Sequence, residues 1–296
     1  MTDDPLKMKK YLKIFDFIGA PILTGLAIGL LVLETRAELR QRKESRIKRL
    51  KNNAGLATVG LAGLRLALLP SMVSAGRWTE KNRFGLAQIL PLPAPFKGIL
   101  AFLLLDYTNY LWHTLNHRFP LLWRFHNVHH TDLDMDVSTA WRFHVGEVLL
   151  SVFFRGGMVA VVGAPASTVL LYEVLYEGAT AFHHSNWRLP FHLERMLNKV
   201  IVTPRMHGIH HSIVRRETDS NYAVIFSMWD RLHQTVRLNI PQNEIIIGVP
   251  AYRNSSEQTP GYLLFLPFTP QRNWLLPDGT QPDRPMVSGD RTQLAE

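Results

Sequence analysis

The chain has 296 residues, 46% hydrophobic and 19% charged, which supplies ample material for a buried core and excludes a disordered chain. Cysteine is absent, which excludes a disulfide framework, a thiolate nucleophile, an iron–sulfur cluster and any cysteine-containing zinc site. The formal net charge of +9, from 33 Lys and Arg against 24 Asp and Glu, suits a membrane surface or nucleic acid, and the position of the charge decides between them.

Residues 17–33 (FIGAPILTGLAIGLLVL) are an uncharged run of 17, close to the minimum for a bilayer span. No small-x-small cleavage pattern follows, so an uncleaved span is expected. Residues 35–51 (TRAELRQRKESRIKRLK) then carry eight basic and two acidic side chains, +6 of the total +9. A basic stretch between two apolar runs belongs on the cytoplasmic side of a membrane. No nucleic-acid-binding motif accompanies it, so no nucleic-acid partner is expected. Residues 54–76 form a second candidate span, in which Arg65 must reach the interface or find a partner. Residues 98–112 (GILAFLLLDYTNYLW) form a third that turns polar toward its end. Residues 145–161 and 166–181 flank Gly163-Ala164-Pro165 and predict a helical hairpin, glycine stopping one helix and proline starting the next. Arg155 interrupts its first arm, and Glu173 and Glu177 in the second could pair with it. From about residue 185 long apolar runs cease, and the last stretch reads as a polar extension with a loose end. With the basic loop in the cytoplasm and the runs crossing in turn, residues 113–144 and everything after 183 fall on that same side.

Histidine carries the chemistry, with 13 in the chain and most in short windows. His113-x3-His117 places two imidazoles on one helical face, with Asp106, Asn109 and Tyr110 along the same stripe. His126-Asn-Val-His129-His130 and His207-Gly-Ile-His210-His211 repeat one spacing. His183-His184 closes the second hairpin arm, with Glu173 and Glu177 on its face. So many imidazoles would be hard to keep neutral, buried and hydrogen-bonded together without a cation. Eight or nine ligands exceed the four of a single zinc, so two metal ions are expected. Nitrogen donors suit zinc, iron, copper or nickel. Iron fits oxygen chemistry best, and zinc could occupy the site in a purified sample.

These boxes resemble those of the fatty acid hydroxylase superfamily, also called the sterol desaturase family. The likeness extends to Trp123-Arg-Phe-His-Asn-Val-His-His130, Arg142-Phe-His144 with Glu147, and His184-Ser-Asn186 with Arg188-Leu-Pro190. It continues through Thr203-Pro204, Asn221-Tyr222 and Trp229-Asp-Arg-Leu232, and so covers residues 100–235. The resemblance implies an all-α fold in which polytopic membrane helices carry a cytosolic histidine-box cap. It divides the chain into membrane spans with the basic loop (1–96), a catalytic domain (97–235) and a polar C-terminal extension (236–296). It also implies a di-iron enzyme that uses O2 to hydroxylate or desaturate a lipid-like substrate, whether fatty acyl, sterol, carotenoid or ether lipid. The alternative is a non-catalytic lipid- or metal-binding membrane protein of the same fold. The implied ligands are His113, His117, His126, His129, His130, His184, His207, His210 and His211, with His144 and His183 as additional candidates. Thr180 stands where some members carry another histidine, and His233-Gln-Thr235 replaces the common Phe-Gly-Thr. His192 and His233 are expected to be structural or exposed.

Carboxylates that could orient the imidazoles are Asp106, Asp132, Asp136, Glu147, Glu177 and Asp230. No glycine-rich nucleotide fingerprint, haem motif or iron–sulfur motif appears, so a separate reductase or ferredoxin is expected to deliver electrons. An apolar substrate is expected to enter from the bilayer between the third apolar run and the hairpin.

Overall fold

Each apolar run becomes a helix longer than itself, because helix-compatible residues flank it. The computed structural model describes residues 5–285 and 291–295, and among these β-pairing is confined to three isolated bridges. Helix α1 covers residues 5–36, as Pro5–Ile14 and Ala20–Arg36 joined by a π-helical turn at Phe15–Gly19. Helix α2 covers residues 46–82, as Arg46–Gly63 and Leu69–Asn82 joined by a second π-helical turn at Leu64–Leu68. The two π turns are tied by charge. Arg65 in the second donates through Nε and Nη2 to the two carboxylate oxygens of Asp16 in the first, both at 2.8 Å. A bidentate pair cancels the charge that an apolar helix could not otherwise carry.

Helix α3 is Ala94–Arg118, α4 Pro120–His130, α5 Val145–Val162 and α6 Ala166–His184. The last two form the expected hairpin. Gly163 ends α5 with φ of 74° and packs on Gly85, whose φ is 94°, and a Cβ on either would strike the other's backbone. Arg155 donates across the hairpin to Glu173, whereas Glu177 accepts instead from Trp141 Nε1 at 2.9 Å.

Three segments are long and apolar enough to cross a membrane: Met8–Arg36, Arg46–Ile89 and Val145–Val162. Their outward side chains are apolar, Phe17, Leu66 and Phe153 being 76%, 78% and 81% exposed. That surface suits hydrocarbon, and the chain is read as an integral membrane protein. Helices α3 and α6, expected as spans too, do not reach this composition. Each turns a polar stripe inward, Asp106, Thr108 and Asn109 on α3 and Glu173, Glu177 and Thr180 on α6. Their apolar residues Leu105, Val169 and Tyr172 join Leu68, Leu69 and Met72 of α2 in one buried cluster.

The basic run is more than a positive loop. Arg42 and Arg46 pair with the buried Glu34 at the end of α1. Arg49 bonds Asp132 at 2.7 Å and Asp136 at 2.5 Å, and Arg40 bonds Gln242 Oε1 at 2.6 Å. Burial alone would raise the Asp132 carboxyl, but Arg49 and Arg142 hold it well below the usual carboxylate range. Glu34 also accepts from the backbone N–H groups of Val137 and Asn186. These contacts gather the ends of α1 and α6 and the start of α2 at one end of the bundle, where the histidine windows lie.

Residues 236–268 depart from the loose polar extension read from the sequence. Val236 and Leu238 pack with Tyr110, Val202 and Met206, and Ile240, Ile245 and Ile247 pack on Met135 and Ile209. Val249, Tyr252, Leu263 and Leu266 cover Leu56 and Val128. These apolar residues are spread thinly through polar text without helical periodicity, which hides their burial.

Candidate metal centre

Helix α3 delivers His113 and His117 from its last turns, and α4 delivers His126, His129 and His130. Helix α6 ends on His184, and α7 (Pro204–His210) brings His207 and His210, with His211 as the next residue. Gly208 inside α7 is a close-approach glycine, since a Cβ there would collide with the Arg40 guanidinium.

The nine histidines fall into two groups. In one, His113, His117, His126, His130 and His210 each offer a ring nitrogen within 4.8 Å of the others. In the other, His129, His184, His207 and His211 do the same. The groups adjoin, with the His130 and His211 rings stacked at 4.4 Å. Within the second group the Nε2 atoms of His184 lie 3.0 Å from those of His129 and His207, and His211 Nε2 is 3.2 Å from His207 Nε2. Four nitrogens bound at about 2.0–2.1 Å around one tetrahedral ion would stand about 3.3 Å apart, so the spacing is that of a ligand set.

The tautomers support the same arrangement. His113 Nδ1–H donates to the Tyr222 carbonyl at 2.7 Å, His210 Nδ1–H to the Ser220 carbonyl at 2.7 Å and His184 Nδ1–H to the Thr180 carbonyl at 2.8 Å. His126 Nδ1–H donates to Glu147 at 3.0 Å, and His117 Nδ1 faces Asp219 at 3.5 Å. With Nδ1 protonated, each Nε2 presents a lone pair inward. His210 Nε2 is then a buried lone pair without a protein partner, which a cation would satisfy. Burial, and then the neighbouring imidazoles, hold His129, His130, His207 and His211 well below the ordinary histidine range. The rings are therefore neutral at pH 7, which is the ligating form. The donor set fits two metal ions.

The remaining expected residues lie elsewhere. His183 joins neither group; its Nδ1 bonds the Val224 carbonyl at 3.2 Å, and its ring lies 4.1 Å from that of His207. His144 caps α5, accepting from Gly146 N, and its Nε2 meets the Leu264 carbonyl at 3.1 Å. His233 stacks on Tyr110, away from both groups. Among the six carboxylates expected to orient imidazoles, only Glu147 reaches a ring. Asp106 accepts from Trp229 Nε1 at 2.7 Å, Asp132 and Asp136 hold Arg49, Glu177 holds Trp141, and Asp230 accepts from the Tyr222 and Ala223 amides.

Asp219 and the Ser220 and Tyr222 carbonyls escape the sequence reading. Asn221 positions them. It adopts a left-handed φ of 54° and donates from Nδ2 to the Met206 and Arg237 carbonyls. Asn tolerates this conformation better than most residues, so the Asn-Tyr pair is the available signal.

A cleft leads outward from the histidines. The chamber beside them shares Trp112, Phe143, Glu147 and Tyr176 with an outer cleft that continues between α2 and α5. Trp112 of α3 and Arg155, Tyr176 and Glu177 of the hairpin line the outer cleft, and α2 supplies a further wall that the expected entrance between α3 and the hairpin did not include.

Such an assembly defines a helical membrane protein whose one end gathers imidazoles at metal-ligating distance beside an apolar cleft. Residues 98–235 match the family described as "Fatty acid hydroxylase", which supports placing this region in the fatty acid hydroxylase superfamily. It is 31% identical over 147 residues to alkylglycerol monooxygenase from Homo sapiens, covering 49% of this chain and 32% of that protein. It is 29% identical over 140 residues to ornithine lipid hydroxylase OlsE from Rhizobium tropici, covering 47% and 41%. It is 27% identical over 163 residues to cholesterol 25-hydroxylase from Rattus norvegicus, covering 54% and 53%. The chain thus spans about a third to a half of the length of these relatives. No solved structure matches it.

Proposed function

We propose that the chain is a membrane-bound, O2-dependent oxidoreductase that hydroxylates or desaturates a lipid-like substrate at two iron ions. The observation that carries this reading is the juxtaposition of two histidine groups, five and four strong, with an apolar cleft running between two membrane-type helices. The iron pair would supply the O2 activation and hydrogen-atom removal that acid–base groups cannot bring to a saturated C–H bond.

The chain's own residues do the rest. His113, His117, His126, His130 and His210 would hold one ion, and His129, His184, His207 and His211 the other. The Tyr222, Ser220 and Thr180 carbonyls and Glu147 lock the rings so that Nε2 points inward. Trp112, Phe143 and Val224 line the chamber and keep water from it. His183, packed on His207, would support that ring, and His144 would cap α5, so neither would join the sets. Residues 1–96 would anchor the protein, 97–235 would carry the chemistry, and the described part of 236–296 would cover the metal-bearing end. The basic loop at that end supports a cytoplasmic active site, where a separate reductase or ferredoxin would deliver electrons.

Lipid extracts of cells making the wild-type chain or its His129→Ala variant test the reading. Only wild type should yield a lipid that has gained an oxygen atom from isotope-labelled O2 or a new double bond. Identical extracts from metal-loaded wild type and variant would instead identify a non-catalytic relative.

A further inference from the structure

The outer cleft is apolar except at one place. Gly60, Leu61, Leu64 and Leu68 of α2 form one wall, and Val148 of α5 faces them. Both helices belong to segments able to cross a membrane, and Leu61 at the mouth is 43% exposed, so the cleft opens toward the bilayer. Against this lining stand the polar side chains of Ser151, Arg155, Glu177 and Glu147, all buried.

Their hydrogen bonding is incomplete in a particular way. Arg155 uses Nη2 for Glu173 and lies over the Tyr176 ring, 4.6 Å from its centre, while its Nε is buried without a partner. Glu177 uses Oε2 for Trp141 Nε1, which leaves it further acceptor capacity. Ser151 is satisfied by the Val148 carbonyl at 2.7 Å. The cleft therefore offers an unmet donor in Arg155 Nε and open carboxylate acceptors in Glu177 and in Glu147, whose Oε2 is buried without a partner. A hydroxyl group is both acceptor and donor and answers the donor and an acceptor together.

Charge separates the hydroxyl from the other common lipid head. Glu173 already balances Arg155, the cation of the cleft, while Glu177 and Glu147 add carboxyl groups to its lining. A lipid carboxylate would find no uncompensated cation and would bring another buried negative charge beside existing acids. An uncharged alcohol meets no such cost.

We propose that Arg155 and Glu177 form a polar station that receives the hydroxyl of an uncharged lipid alcohol and discriminates against fatty acid carboxylates. Glu177 precedes His184 by two turns of α6, about 10 Å along the helix. The station thus fixes the distance between the hydroxyl and the carbon presented to the metals. This inference rests on the lipid-oxygenase reading and names the substrate class for it.

The test uses full-length, metal-loaded protein in detergent micelles. Its probes are bromine-tagged octadecanol and bromine-tagged octadecanoate, and its readout is quenching of tryptophan fluorescence, because Trp112 and Trp141 line the cleft. The alcohol should quench saturably, with the carboxylate weaker by at least about tenfold at neutral pH. Trp112→Phe should reduce the saturable component, which separates the cleft from the micelle. Glu177→Gln keeps an acceptor for Trp141 and removes the charge, and it should narrow the preference to within about threefold. Carboxylate binding equal to or tighter than alcohol binding in wild type would overturn the proposal, and that comparison needs no variant to fold. Equal changes for both probes in Glu177→Gln would also overturn it, by reducing Glu177 to a packing role. Metal content is measured on the same samples. Loaded protein that quenches with neither probe sinks the station alone, whereas protein that takes up no metal sinks the oxygenase reading beneath it.

Discussion

The two histidine groups solve one problem differently. The group of five is oriented mainly by hydrogen bonds, since His113, His126 and His210 each donate from Nδ1 to a carbonyl or carboxylate and His117 faces Asp219. The group of four is oriented largely by packing. The Nδ1 atoms of His129, His207 and His211 have no protein partner, and only His184 is tied to a carbonyl. Instead His129 lies flat on Phe143 at 4.4 Å, and His211 stacks on His130. The contrast teaches that two histidine groups in one chain can depend on different neighbours, and that they should fail under different substitutions.

Removing ligands should break the symmetry most strongly. His210→Ala is expected to deplete the metal of the five-membered group first, and His129→Ala that of the four-membered group. Either should abolish turnover, measured as lipid product. Loss of both ions from either variant would show that the groups load as a unit and would blunt the comparison.

The wall behind both groups comes next in size. Asp132→Asn leaves Arg49 and Arg142 buried with less compensating charge and should cost about 3–5 kcal/mol, read as a lower thermal midpoint in detergent. The same carboxylate sets an acid limit. Its folded pKa is depressed, so its contribution is fully present above the unfolded value near 3.9 and is lost as pH falls below it. Stability should therefore hold between about pH 5 and 7 and decline below about pH 4. A variant as stable as wild type would mean that the arginines find other partners.

Glu147→Gln should act on the group of five alone, weakening its metal affinity by about 10–100-fold, as titration with a competing chelator would show. Phe143→Leu should have the smallest effect and fall on the group of four. Losing a stacked ring is worth about 0.5–1.5 kcal/mol, enough to shift the absorption of a bound ion without expelling it. If Phe143→Leu and Glu147→Gln gave the same pattern of loss, orientation by packing and by hydrogen bonds would not be separable.

The histidines that the two groups bring together were legible because imidazole is rare and the spacing of four and three fixes a helical face. The hairpin was legible because Gly163 and Pro165 punctuate two apolar runs. What orients the rings was mostly hidden, since every residue owns a carbonyl and no residue type marks Ser220, Tyr222 or Thr180 as acceptors. Among the six carboxylates considered, Glu147 alone touches a ring; the others were distributed by folding to Arg49, tryptophan side chains and backbone amides. The basic run looked like a membrane-facing loop because its acidic partners, Asp132 and Asp136, lie more than 80 residues away. Local charge patterning cannot see a pair of that separation.

Metal stoichiometry tests the central claim most directly. Full-length wild-type protein, loaded anaerobically with ferrous iron and freed of unbound ion, would be assayed for iron per chain by elemental analysis. Two groups of neutral imidazoles, five and four strong, predict two ions per chain. A single ion or none, in protein that is otherwise folded, would contradict the account.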